Sequence, residues 1–158
     1  MNYFMDSNYN CIEDKAYISA KKSITKFLKR FYLDKFADEV KTEISSKFNV
    51  NEDLISVNIP MHENPEITEI DSSQFEVSFA MSNIDKINDL LNIFNILDVD
   101  NGFESIYVYF GIKESYVVVC YPNKNRTYKS NVLSEIQDSI VASLRNYLDF
   151  IYRKENVY

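Results

Sequence analysis

Residues 103–122, FESIYVYFGIKESYVVVCYP, constrain the fold of this chain more than any other stretch. Ile106, Val108 and Phe110 alternate with Ser105, Tyr107 and Tyr109, and a β-branched run at 117–119 follows the short break IKE. A period of two places one set of side chains on each face of a strand, and aromatic and β-branched residues suit a pleated, half-buried surface. Two such runs joined by three residues predict a β-hairpin. A hairpin with one apolar face is not stable alone, so further strands or a covering helix must complete it.

Helical periodicity flanks the strands. Over 13–33, Tyr17, Ala20, Ile24, Phe27, Leu28 and Phe31 recur at three- and four-residue spacing. That predicts an amphipathic helix with these side chains inward and Lys15, Lys22, Lys26, Lys29 and Arg30 on a solvated side. A second helical stretch over 35–48 spaces Phe36, Val40, Ile44 and Phe48 by four. Between the two, Leu33-Asp34 reads as a kink or a break, with Asp34 able to cap a new helix and Asn49 able to stop it.

Residues 54–59 read as a strand ending at Pro60 and Met61, and 62–73 as an acidic, turn-rich connection holding a short strand at 66–70. Phe75, Val77, Phe79 and Met81 then alternate with Glu76 and Ser78. Ser82 or Asn83 caps a helix over 84–97 with Ile84, Ile87, Leu90, Leu91, Phe94 and Leu97 inward. Asp100-Asn101-Gly102 is a turn, 123–129 a polar loop, and 131–153 a closing helix striped by Leu133, Ile136, Ile140, Leu144, Tyr147, Leu148 and Ile151. The expected class is α+β, in the order α(α)-β-β-α-β-β-α. It has a mostly antiparallel sheet of about four strands with three to four helices on one face. Strand-strand-helix occurs twice after residue 50, which suggests an internal duplication. The 158 residues are expected to form a single globular domain, with 1–12 as a flexible leader.

Composition removes most catalytic classes. Only Gly102 and Gly111 are glycines, so neither a dinucleotide fingerprint nor a P-loop can be assembled. His62 is the single histidine, which eliminates multi-histidine metal sites. Cys11 and Cys120 are too few and too far apart for a zinc site or a disulfide framework, and Cys120 within SYVVVCY is expected to be a buried thiol. DVDNGFE at 98–104 fails as a calcium loop, because counting back from Gly102 puts Leu97 and Val99 where acids are needed. No apolar run is long enough to span a bilayer, and MNYFMDSNYNC lacks the apolar core of a signal peptide. The expectation is a non-enzymatic, cytoplasmic protein with no cofactor, no metal and no membrane association.

Charge is distributed unevenly. Residues 51–104 carry twelve carboxylates against the single base Lys86, a net −11, while each flank is +2, which accounts for the −7 of the whole chain. Carboxylates spaced along a strand or helix can imitate a phosphate row and fill a basic groove on a partner. In size and charge the chain resembles, at the level of a class, the small acidic inhibitors that phages and mobile elements direct against CRISPR or restriction nucleases. The expected partner is a basic, nucleic-acid-binding protein, met through Glu63, Glu66, Glu69, Asp71, Glu76, Asp98, Asp100 and Glu104. Duplex DNA itself should bind poorly to so acidic a chain. The alternative is a nucleic-acid-binding accessory protein acting through Lys22, Lys26, Lys29, Arg30, Lys124 and Arg126. An enzyme using carboxylates and a divalent metal is a distant third.

Overall fold

The alternating segments pair in chain order. Among the described residues five strands, β1 (Ile55–Asn58), β2 (Glu76–Met81), β3 (Ser105–Gly111), β4 (Ser115–Cys120) and β5 (Asn125–Tyr128), form an antiparallel meander, β1-β2-β3-β4-β5. Among the described residues three α-helices accompany them: α1 (Ser7–Phe48), α2 (Ile84–Ile93) and α3 (Asn131–Val157). This computed structural model describes the backbone of residues 7–60 and 74–157 and the side chains of 15–60, 74–151 and 153.

Register places every core side chain on one face of the sheet. Ile55 lies opposite Phe79, Phe79 opposite Val108, and Val108 opposite Val117, so a continuous apolar row crosses four strands. Ile87, Leu90, Leu91 and Phe94 of α2 and its C-cap, Leu133, Leu144 and Ile151 of α3, and Leu33 to Phe48 of α1 pack into the same cluster. Such a fold is α+β, as the alternation and helical periodicity predict.

Helix ends are set by asparagines and one serine. Asn83 caps α2 by accepting from the Lys86 N–H at 3.1 Å, and the Ser130 hydroxyl caps α3 by accepting from the Leu133 N–H at 3.2 Å. Asn49 and Asn95 take left-handed backbone, φ 56° and 58°. The Val50 N–H then reaches the Ser45 carbonyl, and the Ile96 N–H the Leu91 carbonyl, the six-to-one closure of a Schellman end. Both closures leave a buried phenylalanine on the last turn, and the Phe48 and Phe94 rings meet edge-on at 5.4 Å.

Five expectations are corrected. First, the sheet has five strands, because 125–128 is an edge strand and not a polar loop. NRTY carries no apolar alternation, since most of an edge strand faces water; the Pro122-Asn123 turn, closed by the Tyr121 N–H to the Lys124 carbonyl, was the available signal. The third strand also breaks the supposed duplication. Second, α1 runs unbroken through Leu33-Asp34 and includes residues 7–12 of the expected leader. Asp34 is not a cap: it accepts from Arg30 Nε at 2.9 Å one turn earlier. Third, α2 stops at Ile93, so Leu97 is exposed, as is Ile84 in its first turn. Fourth, Cys120 is half-buried on the outer sheet face. Fifth, the apolar stripe of the first helical stretch does not face the core. The suggested strand at 66–70 lies outside the described residues.

Left-handed backbone costs a β-branched residue ~1–2 kcal/mol more than glycine. Asn49→Gly should therefore hold or raise the melting temperature, and Asn49→Val should lower it by roughly 2–8 °C at this chain length. Calorimetric melts of the two variants beside the parent check this.

Candidate functional site

Helix α1 changes its apolar side partway along. Leu33, Phe36, Val40, Ile44 and Phe48 are buried, while Tyr17, Ile24, Phe27 and Phe31 are 66, 59, 70 and 57% exposed. Successive residues turn by ~100°, so Phe31 and Leu33 point roughly 160° apart and the two stripes lie on opposite sides of one rod. Nothing between Ser7 and Phe48 is Gly or Pro, so no kink can bring the first stripe round to the core. The outward stripe Tyr17, Ala20, Ile24, Phe27, Phe31 follows alternating three- and four-residue steps, with Leu28 beside it, over ~21 Å of axis. Burying each such large side chain would be worth ~1.5–3 kcal/mol. Among the described residues that contribution is not taken up.

Aromatic rings tie the lower end of this stripe to α3. Tyr32 meets Phe31 edge-on at 5.6 Å and Phe150 at 5.7 Å, while Phe36 lies 5.1 Å from Tyr147. Phe150 is itself 43% exposed, so the apolar surface continues from α1 onto α3.

The basic residues of the first stretch occupy the side that the sequence assigned to them, but that side is not simply solvated. Lys29 is buried, and Lys22, Lys26 and Arg30 are half-buried. Arg30 donates to Asp34 and, through Nη1, to the Ile59 carbonyl, joining α1 to the chain leaving β1. Of the two later bases, Arg126 donates to the Asp100 carboxylate at 3.1 Å, and the Lys124 ammonium lies 5.3 Å from the Tyr121 ring. These six bases are partly committed to internal contacts and do not form one described array.

The acids divide as well. Glu63, Glu66, Glu69 and Asp71 lie outside the described residues. Glu76 pairs with Gly111 at one end of β3, whereas Glu104 precedes Ser105 at the other end, with Asp98 and Asp100 in the segment leading to it. Seven strand residues separate those ends, roughly 23 Å. Asp100 is neutralised in place by Arg126, and its backbone carbonyl accepts from the Tyr121 hydroxyl at 2.8 Å. The four described acids therefore flank the sheet at two places.

Between those places lies the outer sheet face. Tyr109 and Tyr116 sit directly across β3 and β4, and their rings stack at 4.8 Å and 21°. Tyr109 also folds over Gly111: a Cβ there would meet the Tyr109 hydroxyl at 2.6 Å, so only glycine leaves the ring its place. This is a position that sequence reasoning passed over as a plain hairpin residue.

Partial burial raises both phenol pKa values; for Tyr109 the charges of Glu76, Tyr116 and Glu114 add to it, and for Tyr116 those of Tyr107, Glu114 and Glu76. A phenol whose folded pKa is raised favours the fold while protonated, so that stability is present below the unfolded value near 10 and is lost as pH climbs through the folded one. Ultraviolet titration should show Tyr109 and Tyr116 among the late-ionising tyrosines, with Tyr121 and Tyr147 raised likewise by burial, coupled to alkaline loss of structure. Glu76→Gln should shift the Tyr109 transition toward lower pH; an unmoved transition would contradict the assignment.

Among the described residues no group of three or more His, Cys, Asp or Glu side chains could hold a metal ion. Among them, too, no helix is long and apolar enough to cross a membrane. No protein-family model, curated protein or solved structure matches this chain.

Proposed function

We propose that this chain is a non-enzymatic binding protein that works by docking onto another macromolecule through the outward side of α1. The observation that carries the reading is the exposed row Tyr17, Ile24, Phe27 and Phe31 on a helix whose opposite side is built into the core. Large contiguous apolar surface rimmed by polar residues is the usual mark of an interaction site. Scarcity of glycine and a single histidine support a non-catalytic role.

A photo-crosslinking amino acid placed at Phe27 in cells should give a heavier adduct, and the same group at Asn123, an exposed polar site in the turn between β4 and β5, should not. Equal adduct formation at both positions would remove the assignment of this face.

The charge asymmetry of residues 51–104 favours a second reading, an acidic inhibitor that occupies the basic groove of a nucleic-acid-handling enzyme such as a CRISPR or restriction nuclease. On that reading, neutralising Glu63, Glu66, Glu69 and Asp71 to Asn or Gln slows association and flattens its salt dependence. Exchanging Lys22, Lys26, Lys29 and Arg30 for Gln leaves it nearly unchanged. The accessory nucleic-acid-binding alternative expects the reverse pattern, and association rates measured across a salt series separate them.

A further inference from the structure

The outer face of the sheet holds a slot beside the Tyr109–Tyr116 stack. Tyr109 lies across from Tyr116 on one neighbouring strand and from Ser78 on the other. The two ring centroids are 4.8 Å apart at 21°, the spacing of the strands beneath them, so the rings stand upright with one face of each against the other. The second face of Tyr109 therefore turns toward β2, where Ser78 is too short to cover it, and Ser56 beyond it on β1 is no taller. The ring also leans along β3 over Gly111, and Gly111 pairs with Glu76. Glu76 thus rises one strand away from the phenol, at the end of the slot. After burial, its charge is the largest cause of the raised Tyr109 pKa.

On the far side of the stack the chain supplies its own cation. Lys129 follows Tyr128, which pairs with Val117, and its ammonium lies 3.7 Å from the carboxylate of Glu114, two residues before Tyr116. On the β2 side nothing answers in this way. Among the described residues no Lys or Arg forms an ion pair with Glu76, Lys113 of the β3–β4 turn included, and none stacks on Tyr109. Arg126 is the one base within the five strands, and it lies opposite Val119 of the inner face. We infer that this slot receives an arginine side chain of a partner polypeptide, its guanidinium flat against the free face of Tyr109 and forked onto the Glu76 carboxylate. A planar cation that stacks on a ring and also pairs bidentately with a carboxylate is what arginine provides and lysine does not. Free arginine fits less well, because no base on the outer strand positions answers its α-carboxylate. A nucleic-acid strand would meet Glu76 and find no base among those positions. The slot lies across the sheet from the core face on which α1 packs, so it stands apart from the docking reading above.

The test titrates the full chain, labelled with nitrogen-15, with a short Ser/Gly peptide carrying one central arginine and with matched peptides carrying citrulline or lysine. The arginine peptide should shift the Ser78 and Gly111 amide resonances and saturate in the ~millimolar range, as one anchored side chain allows. Citrulline keeps the shape of arginine without its charge and should bind ~10-fold more weakly, with lysine ~3-fold weaker than arginine. Glu76→Gln should weaken the arginine peptide by ~5-fold or more. Glu104→Gln, at the other end of β3, should leave its affinity unchanged. Tyr109→Leu should weaken it as well; if that variant does not fold, Glu76→Gln decides alone. Equal affinity of the arginine and citrulline peptides, an unchanged affinity in Glu76→Gln, or no saturable shift with any peptide overturns the inference. Lysine binding as tightly as arginine overturns the choice of guanidinium, and free arginine binding as tightly as the peptide overturns the polypeptide source. A single-stranded oligonucleotide that shifts the same amides more strongly than the arginine peptide overturns it too.

Discussion

A straight α-helix offers one side to a core along its whole length, and the architecture of this protein follows from that constraint acting on α1. Leu33, Phe36, Val40, Ile44 and Phe48 are buried against the sheet and α3, which fixes the rotation of the helix about its axis. No Gly or Pro lets the first half twist independently. Tyr17, Ile24, Phe27 and Phe31 are consequently held on the far side, and Lys29 is carried into a buried position by the same rotation. The exposed apolar row results from rigidity and packing, with no fault in the helix itself.

The sheet shows a comparable division. Its inner face is closed by apolar side chains from all three helices, while its outer face carries the Tyr109–Tyr116 stack seated over Gly111. Stacked rings across neighbouring strands add stability beyond their area and fix register without a covering layer. Because β1 to β5 are neighbours in both sequence and space, most sheet contacts close short loops. Only the connection through α2 between β2 and β3 and the segment joining β1 to β2 are longer.

Electrostatics in this chain are local before they are global. The sum over 51–104 is −11, yet Asp100 is held by Arg126 and Glu76 stands at the opposite end of β3 from Glu104. Charges separated by more than a Debye length, ~8 Å at physiological salt, act largely independently at an exposed surface. The sequence of α1 has the other sign, with nine Lys and Arg against six Asp and Glu over residues 7–48.

Much of the fold was legible in the residues. Alternation at 75–81 and 105–119, the asparagine caps at 49 and 83, the turn at Gly102 and the stripe of α3 all depend on short-range periodicity and local backbone preference. Strand β5 was less visible, because an edge strand without apolar alternation is held by backbone pairing that any sequence can make. Gln137 is another case: a polar residue inside the α3 stripe, it is buried because its amide donates to the Gly111 carbonyl at 3.1 Å. Periodicity by itself determined that residues 13–33 and 35–48 are helical and that both stretches are amphipathic. Which of two opposed stripes faces the core is not a local property, since each half alone would bury its own. Only the tertiary structure decided it, by packing Leu33 to Phe48 against the sheet through a helix too stiff to turn the remainder inward.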